Sequence, residues 1–298
     1  MSGSAAAEFR AGYVAVVGEP NVGKSTLVNR LLGRRLAIVS PRPQTTRHRV
    51  LGVLNGTDYQ AVLLDTPGLM SPRYALQRLM RRETEAALAD ADVVIFMVDA
   101  SRSVEKVGGD WPRPAGRRAL GVLNKVDIAD KRLLLPTAAL LAGAGFEPVL
   151  MVSALTGDGV DKLRSELVAA LPTGQPFFPI EMLSERPERF FVAEFVREAV
   201  FHRYGAEVPY CTTVVVEEFR ERPGRKDYVR AIIYVERESQ KAIIIGRGGR
   251  ALRQVGSRAR REAERFLGRP VFLELEVRVA EGWRRKERFL LEAVYSRE

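Results

Sequence analysis

Short apolar runs separated by amphipathic segments give the first half of the chain a regular alternation. Residues 12–17 (GYVAVV) form an apolar run that leads into a glycine, and residues 24–32 carry apolar positions at helical spacing, which predicts strand, loop and helix in that order. Further buried strands are predicted at residues 61–65, 93–99, 119–124 and 146–153, and helices at residues 81–89, 131–142 and 160–171. This alternation predicts an α/β domain with a doubly wound, mostly parallel sheet.

A proline-rich stretch separates this half of the chain from the rest. Residues 172–188 contain prolines at positions 172, 176, 179 and 187, too many for a helix or a central strand, and we interpret the stretch as a linker. The sequence thus predicts one domain at residues 1–171 and a second at residues 189–298. The second domain is predicted to contain a helix at 189–203, strands at 212–219 and 228–235, a helix pair around residue 246 and a strand at 271–279. That order, α-β-β-α-α-β, is typical of a small α+β domain.

Composition narrows the classes of function. The 298 residues are 46% hydrophobic and 28% charged, as expected for a soluble globular protein of two domains. Cys211 is the only cysteine and the chain has two histidines, which excludes an internal disulfide and a zinc cluster. No run approaches the roughly 18 apolar residues of a membrane-spanning helix, and the first residues lack a secretion signal, so we expect a cytoplasmic protein.

Residues 18–25, GEPNVGKS, match the phosphate-binding pattern G-x-x-x-x-G-K-[ST] between the first predicted strand and helix. In this pattern backbone N–H groups wrap a phosphate, Lys24 reaches the β- and γ-phosphates, and the Ser25 hydroxyl binds Mg²⁺. Residues 65–68, DTPG, follow a strand, which places Asp65 where it can hold Mg²⁺ through water and the N–H of Gly68 where it can sense the γ-phosphate. Upstream, the polar loop PQTTR supplies a threonine that completes the Mg²⁺ shell, and loop position favours Thr46 over Thr45.

Residues 124–127, NKVD, identify the base. The Asp127 carboxylate can accept both the ring N–H and the exocyclic amine of guanine, whereas adenine offers neither arrangement and would leave the carboxylate unpaired. We therefore expect GTP rather than ATP. Asn124 would join the loops and touch the base, the Lys125 stem would cover its face, and the tripeptide Ser153-Ala154-Leu155 could donate a backbone N–H to the guanine oxygen.

A second glycine-rich stretch, AIIIGRGGRAL at residues 242–252, allows two interpretations. Its spacing fits the dinucleotide-binding pattern G-x-G-x-x-[G/A], but no acidic residue follows at a strand end about 20 residues later. It also fits the G-x-x-G loop with which RNA-binding KH domains clamp the backbone of about four nucleotides. The net charge of +10 favours a polyanionic partner, and residues 241–261 lack acidic side chains but contain seven basic ones: Lys241, Arg247, Arg250, Arg253, Arg258, Arg260 and Arg261. We therefore predict that this loop binds RNA.

The motifs GEPNVGKS, PQTTR, DTPG, NKVD and SAL occur in order, and together they resemble a translation-factor-type GTPase domain. The segments VPYCTTVVVEEF and IYVERESQKAIIIGRGGRALRQVGSRARRE resemble the KH domain of the Era family of bacterial GTPases, so the resemblance covers nearly the whole chain. It implies an α/β P-loop GTPase domain followed by a type II KH domain, and a GTP-regulated factor that binds 16S ribosomal RNA near its 3′ end during maturation of the small ribosomal subunit.

The resemblance also extends the chemistry. Many GTPases carry a catalytic glutamine directly after the D-x-x-G turn, but this chain has Leu69 there, so we expect slow intrinsic hydrolysis that relies on loop amides and Mg²⁺. Asn21 resembles the residue that helps related GTPases hold K⁺. His48 is interpreted as a solvated loop residue. The segment before the NKVD strand, with Gly108, Gly109, Trp111, Pro112 and Pro114, departs from the family pattern and leaves the helix there in doubt.

The predicted sites can be stated residue by residue. The GTP site comprises Gly18, Glu19, Pro20, Asn21, Val22, Gly23, Lys24, Ser25, Thr26, Asp65, Thr66, Pro67, Gly68, Leu69, Asn124, Lys125, Asp127, Ser153, Ala154 and Leu155. The catalytic groups are Asn21, Lys24, Thr46 and Gly68, and the Mg²⁺ ligands are Ser25, Thr46 and Asp65. The RNA site comprises Lys241, Ile244, Ile245, Gly246, Arg247, Gly248, Gly249, Arg250 and Arg253.

Alternatives to this function remain open at the level of sequence. The protein could be an RNA-binding scaffold with little turnover. It could also be a GTPase that signals at the inner face of the cell membrane, where its basic second domain would bind anionic lipid. The basic residues 284–286 and Arg288 would touch RNA phosphate or an anionic lipid surface, or form a solvated tail. We expect a monomer.

Overall fold

The structure is a computed structural model that describes residues 8–102 and 116–295. The sequence left the helix before the NKVD strand in doubt. The residues of that segment named above, Gly108, Gly109, Trp111, Pro112 and Pro114, lie outside the described residues. The described residues form two compact units. The first contains the chain up to Ala37, Thr46–Met70 and Met80–Glu185, and the second contains Ile38–Thr45, Ser71–Leu79 and the chain from Arg186 onward.

A six-stranded sheet forms the centre of the first unit. Its strands lie in the order β2-β3-β1-β4-β5-β6, with β2 antiparallel to β3 and the other neighbours parallel. The elements are β1 (Arg10–Gly18), α1 (Lys24–Leu32), β2 (Val50–Asn55), β3 (Tyr59–Asp65), α2 (Ala75–Asp90), β4 (Val93–Asp99), β5 (Arg118–Asn124), α3 (Lys131–Gly143), β6 (Val149–Val152) and α4 (Val160–Ala170). Because β1, β3, β4 and β5 run parallel, their carboxyl ends meet at one edge of the sheet.

The buried strands explain why this sheet has a core on each face. In β1, Val14 and Val16 face one hydrophobic cluster, while Ala15 and Val17 face the other. Successive side chains of a strand point to opposite faces, so a continuous apolar run supplies both clusters. The first cluster includes residues of α1 and α4, and the second includes residues of α2 and α3.

The predicted elements and the observed ones differ at a few positions. Strand β2 was not predicted, because Gly52 interrupts its short apolar pattern. The strand predicted at 146–153 shortens to β6, since Pro148 has no N–H for a ladder. Helix α2 begins six residues earlier than the predicted residue 81, at Ala75.

The second unit contains a three-stranded sheet, β7-β8-β9, with β7 antiparallel and β9 parallel to the central strand. Its elements are α5 (Glu188–Arg203), β7 (Thr213–Arg220), β8 (Asp227–Val235), α6 (Glu238–Ile245), α7 (Arg250–Leu267) and β9 (Val271–Val279), followed by helical turns through Val294 that were not predicted. Helix α7 buries small side chains at four-residue spacing, Ala251, Val255, Ala259 and Ala263. The other side of α7 exposes Arg250, Arg253, Arg258, Arg261 and Arg265.

A segment of the first half of the sequence folds with the second unit. The N–H of Val39 donates to the Glu198 carboxylate at 3.0 Å, and the Val39 carbonyl lies 3.1 Å from His202 Nε2. Glu198 is almost fully buried. The segment Ile38–Thr45 therefore has anchors on α5 that its own sequence did not indicate.

Candidate nucleotide and RNA sites

The phosphate-binding loop connects the end of β1 to the start of α1. Gly23 precedes the helix with φ at 100°, and a Cβ atom there would lie 2.2 Å from Asn124 Nδ2. Only glycine permits this backbone and this approach. Asn21 also adopts a positive φ of 65°. The backbone therefore turns between β1 and α1, at the residues where the sequence pattern places the phosphate-binding loop.

Lys24 is held inside this loop. Its Nζ donates to the carbonyls of Gly18 at 3.0 Å and Glu19 at 2.9 Å, and its side chain is 6% exposed. Burial lowers the pKa of Lys24 to about 8, against the opposing charges of Asp65 and Glu19. An anionic phosphate would stabilise the charged form, so the loop is suited to an anion.

Three oxygen-bearing side chains converge beside the start of α1. Ser25 Oγ lies 2.9 Å from Thr46 Oγ1 and donates to Asp65 Oδ2 at 2.7 Å, and Thr46 Oγ1 lies 3.4 Å from the same carboxylate oxygen. Thr45 instead donates to the carbonyl of Arg42 at 2.8 Å. Of the two threonines that the sequence left open, Thr46 is therefore the one that lies with Ser25 and Asp65.

The Asp65 carboxyl group is fully buried, and its Oδ1 has no hydrogen-bond partner. Burial raises the pKa of Asp65 to about 6, although the Ser25 hydroxyl and the Lys24 charge act in the opposite direction. A cation would satisfy the orphaned oxygen, and hydroxyl and carboxylate oxygens are the ligands that Mg²⁺ prefers. Among the described residues no group of three or more His, Cys, Asp or Glu side chains could hold a metal ion. The two hydroxyls and the orphaned carboxylate oxygen make the Ser25-Thr46-Asp65 set the candidate Mg²⁺ site.

The D-x-x-G turn lies against the phosphate-binding loop. The Thr66 hydroxyl donates to the carbonyl of Val16 at 2.7 Å, and the N–H of Leu69 donates to the carbonyl of Gly18 at 3.0 Å. Leu69 packs against the hydrophobic core. These contacts place the turn beside the loop that would bind the phosphates, and Leu69 offers no side-chain hydrogen bond to a water molecule.

The candidate base site is formed by two loops at the ends of β5 and β6. Parallel pairing sets Asn124 opposite Val152, so the NKVD and SAL motifs lie side by side. Asn124 is buried; its Nδ2 donates to the carbonyl of Val22 at 2.7 Å and its Oδ1 accepts the N–H of Ala154 at 2.9 Å. Asp127 is exposed. The asparagine thus joins the phosphate loop to the base loops and leaves the aspartate open to a ligand.

Two further residues contact these loops, and sequence reasoning missed both. Asp99, the last residue of β4, accepts a hydrogen bond from Lys125 Nζ at 2.6 Å and one from Ser101 Oγ at 2.6 Å. Its position at the carboxyl edge of a parallel strand was a usable signal. Arg30, in α1, donates to backbone carbonyls of the loop at residues 153–155. Nothing in its local sequence indicated this contact.

His48 corrects one interpretation of the sequence. We interpreted it as a solvated loop residue, but its side chain is only 6% exposed. It lies among polar residues that the pattern PQTTR made us treat as a surface loop, and Arg47 beside it is buried as well. Polarity alone therefore did not indicate exposure in this segment.

The second glycine-rich stretch joins two helices. Helix α6 ends at Ile245, residues 246–249 form the turn, and α7 begins at Arg250. A Cβ on Gly246 would lie 2.6 Å from the Cβ of Ala251, whereas Gly248, with φ at 61°, has nothing within 4 Å. Arg247, Gly248, Arg250 and Arg253 are exposed, so the turn presents an open, basic backbone.

The structure contradicts the prediction that the side chain of Ile244 binds RNA. The side chain of Ile244 is fully buried, and its carbonyl accepts the Tyr204 hydroxyl at 2.7 Å. The helical period explains this, because α6 turns Ile244 into the core and Ile243, which is 48% exposed, outward. Ile245 and Lys241 are half-buried. Ile244 therefore supports the loop from beneath instead of packing against bases.

Several basic side chains form ion pairs with neighbouring carboxylates. Arg260 forms an ion pair with Glu264 at 2.7 Å, Arg284 with Glu236 at 2.6 Å, and Arg288 with Glu292 at 2.8 Å. The sequence left both a phosphate contact and a solvated position open for Arg284, and only 24% of its side chain is exposed. Within residues 8–102 and 116–295, no helix is both long enough and apolar enough to cross a bilayer.

Family models match both halves of the chain. A model described as 50S ribosome-binding GTPase matches residues 13–125, and a KH domain model matches residues 207–284. A solved structure of a single-residue variant of Aquifex aeolicus Era bound to GDP·AlF4⁻ is 37% identical, covers 97% of this chain and 100% of that chain, and has a TM-score of 0.91. Era in complex with MgGDPNP and nucleotides 1506–1542 of 16S ribosomal RNA is 37% identical with a TM-score of 0.91, over 97% of this chain and 99% of that chain.

Curated relatives are similar to this chain over nearly its whole length. GTPase Era of Geotalea uraniireducens (strain Rf4) is 42% identical over 292 residues, which cover 97% of this chain and 98% of that protein. The chloroplastic GTPase ERA1 of Zea mays is 40% identical over 294 residues, covering 96% of this chain and 71% of that protein. These likenesses confirm the predicted fold class, an α/β P-loop GTPase domain followed by a KH domain. The chain belongs to the Era family of GTPases.

Proposed function

We propose that this protein is a GTP-hydrolysing switch that binds 16S ribosomal RNA near its 3′ end and assists maturation of the small ribosomal subunit. The observation that carries the proposal is that one chain contains a candidate phosphate and base site in the first unit and an open glycine turn with exposed arginines in the second. A relative aligned over 97% of this chain and 99% of its own holds MgGDPNP and a 16S ribosomal RNA fragment.

In the nucleotide site each residue has a role that its contacts support. The amides of residues 18–26 wrap the phosphates, and Lys24, now bonded to loop carbonyls, turns to the β- and γ-phosphates. Gly68 N–H senses the γ-phosphate. Asp127 accepts the two guanine N–H groups, Lys125 covers the base, and the loop at residues 153–155 donates to the guanine oxygen. Substitution of Asp127 by Asn should move the preference from guanosine to xanthosine nucleotides; retained GTP selectivity would contradict the assignment.

Mg²⁺ fits the donor set of Ser25, Thr46 and Asp65, because Asp65 Oδ1 is buried and has no partner. When bound, the ion would neutralise charge that develops on the phosphate oxygens. Ser25 and Thr46 would supply hydroxyl oxygens and Asp65 a carboxylate to hold the ion, with Thr46 engaged only when GTP is bound. Release of Thr46 after hydrolysis would free the loop that precedes it, which is the switch element of the proposal.

Hydrolysis should be slow without a partner, since Leu69 occupies the place of a water-orienting glutamine. We propose that Asn21 helps hold K⁺ near the bridging oxygens, where a further positive charge would stabilise the transition state. Single-turnover hydrolysis measured in K⁺ and in Na⁺, with and without RNA, tests this. Faster turnover in K⁺ is expected, and equal rates in both salts under both conditions would remove the role of K⁺.

The RNA site is tested with a matched pair of glycine variants. Gly248 and Gly224 have similar φ values, 61° and 73°, and both have nothing within 4 Å of an added Cβ. Gly248→Asp should weaken RNA binding because it adds a negative charge to the turn that meets the phosphates, while Gly224→Asp, in the loop between β7 and β8, should not. GTP binding should be unchanged in both. Equal RNA affinity of the two variants would refute the RNA site.

The remaining parts of the proposal concern organisation. We propose a GTPase domain at residues 1–171, a linker at 172–188 and an RNA-binding domain at 189–298, acting as a monomer in the cytoplasm. The alternatives are an RNA-binding scaffold and a GTPase that contacts the inner face of the membrane peripherally. Purification with nuclease, followed by binding to the RNA 3′ end and to anionic liposomes, tests the membrane alternative: binding to liposomes alone would favour the membrane function.

A further inference from the structure

Arg30 connects the helix of the phosphate loop to the loop of the base site. It lies in the last turn of α1, and its Nε donates to the carbonyl of Ala154 at 3.2 Å. Its Nη2 donates to the carbonyl of Leu155. One guanidinium thus takes two consecutive carbonyls of the loop at residues 153–155, far away in sequence. A planar guanidinium can span two acceptors in this way, whereas an ammonium group bonds them as a single point charge.

The remaining groups of this loop show what Arg30 adds. The N–H of Ser153 donates to the carbonyl of Asp158 at 2.9 Å, and the N–H of Ala154 donates to Asn124 Oδ1. The side chain of Leu155 is 71% exposed and gives the loop little anchorage. The two bonds from Arg30 restrain the peptide planes at the exposed end of the tripeptide, together with the N–H of Thr156, which donates to Ser153 Oγ at 3.1 Å.

Restraining those carbonyls also orients the donors. In a trans peptide the C=O and the next N–H point in opposite directions, so a bond to the Ala154 carbonyl fixes the direction of the Leu155 N–H. The N–H of Ala154 belongs to the preceding peptide unit, and Asn124 Oδ1 accepts it. Among the backbone donors of this tripeptide, the one that Arg30 directs is therefore the N–H of Leu155.

We propose that Arg30 is a positioning residue for guanine recognition, acting through the loop at residues 153–155 on the hydrogen bond to the 6-oxo group of the base. This inference rests on the base site described under the proposed function. Arg30 does not contact the nucleotide. It holds the backbone donors in place before the base arrives, which spares the site the cost of ordering them on binding.

Nucleotide analogues separate this role from the rest of the base site. 6-Thio-GDP replaces only the 6-oxo oxygen with sulfur, a weaker acceptor, and keeps both N–H groups that Asp127 would bind. Inosine diphosphate lacks the 2-amino group and keeps the oxygen. Competition binding of GDP, 6-thio-GDP and inosine diphosphate to full-length protein at neutral pH therefore gives two ratios, one for each part of the site.

The variants are Arg30→Met, Arg30→Lys and the charge control Arg34→Met, which removes an exposed arginine just beyond the same helix. In Arg30→Met we expect the GDP to 6-thio-GDP affinity ratio to fall roughly threefold to tenfold, the value of one oriented hydrogen bond, with the GDP to inosine diphosphate ratio unchanged. Arg30→Lys should fall between wild type and Arg30→Met. Arg34→Met should match wild type.

Three results would overturn the inference. The 6-thio-GDP ratio could stay at the wild-type value in Arg30→Met. Both ratios could fall together, which would indicate general damage to the loop. Wild-type protein could fail to distinguish 6-thio-GDP from GDP, which would mean that the loop does not read the oxygen; a normal inosine diphosphate ratio would then leave the guanine site and the proposed function standing.

Discussion

Replacing Asn124 by alanine should loosen the first unit and weaken nucleotide binding together. The Asn124 side chain makes two buried hydrogen bonds, to the carbonyl of Val22 at 2.7 Å and from the N–H of Ala154 at 2.9 Å. The substitution leaves both partner groups buried and unpaired, since Val22 and Ala154 are 1% and 2% exposed. An unsatisfied buried group costs about 1–3 kcal/mol, so we expect a loss of about 2–5 kcal/mol in local stability without nucleotide.

Hydrogen exchange of backbone amides in β1 and β5 is the suitable assay, because a chain of two units does not unfold in a single step and local opening must be followed separately. GDP affinity, measured on the same samples, should fall about tenfold or more, since the two loops are no longer joined before binding. The control is Thr57→Ala, which removes an exposed hydroxyl that donates to Asp58 Oδ1 at 3.3 Å. Exchange in β1 and β5 that stays within about 1 kcal/mol of wild type, with normal GDP affinity, would refute the reasoning.

Three further predictions follow from single contacts. Gly246→Ala should destabilise the second unit by about 2–4 kcal/mol, because its Cβ would meet Ala251, while Gly248→Ala should cost about 1 kcal/mol, as measured by exchange in α6. Burial acts to raise the pKa of Asp99, but hydrogen bonds from Lys125 and Ser101 outweigh it and hold the pKa below the usual 3.8. The charged carboxylate therefore stabilises the folded state. The destabilisation caused by Asp99→Asn should be present at neutral pH and should disappear as the pH falls below that value. Arg253→Gln should lower the salt dependence of RNA binding by about 0.7 in the log–log slope, and an unchanged slope would mean that Arg253 meets no phosphate.

The elements of the nucleotide site could be predicted because they depend on local sequence. The helix α1 begins at Lys24 and ends at Leu32, as the spacing of apolar residues indicated, and β4 and β9 have the predicted bounds. Phosphate-loop glycines are fixed by backbone geometry that few other residues can adopt. Parallel strands then carry separate motifs to one edge of the sheet, so motif order along the chain is sufficient to assemble the site.

The parts that could not be predicted depend on contacts across the fold. Arg30 has no local signal, because its partners lie more than a hundred residues away in the chain. His48 belongs to a polar run, yet it is buried by neighbours that the run itself does not specify. Ile244 required the phase of α6, and a run of three isoleucines has no amphipathic pattern to set that phase.

The stretch AIIIGRGGRAL shows how one contact decides between two phosphate-binding patterns. In a dinucleotide-binding fold the apolar run before the glycines is a strand, but here residues 238–245 are the helix α6. Gly246 is required because the start of α7 returns at once over the end of α6, bringing Ala251 within reach of any Cβ. The spacing from Gly246 to Ala251 that imitates a nucleotide fingerprint is therefore a helix-packing constraint. Gly248, which packing leaves open, is the glycine whose freedom remains for a phosphate backbone, and this is why its substitution tests RNA binding and that of Gly246 tests the fold.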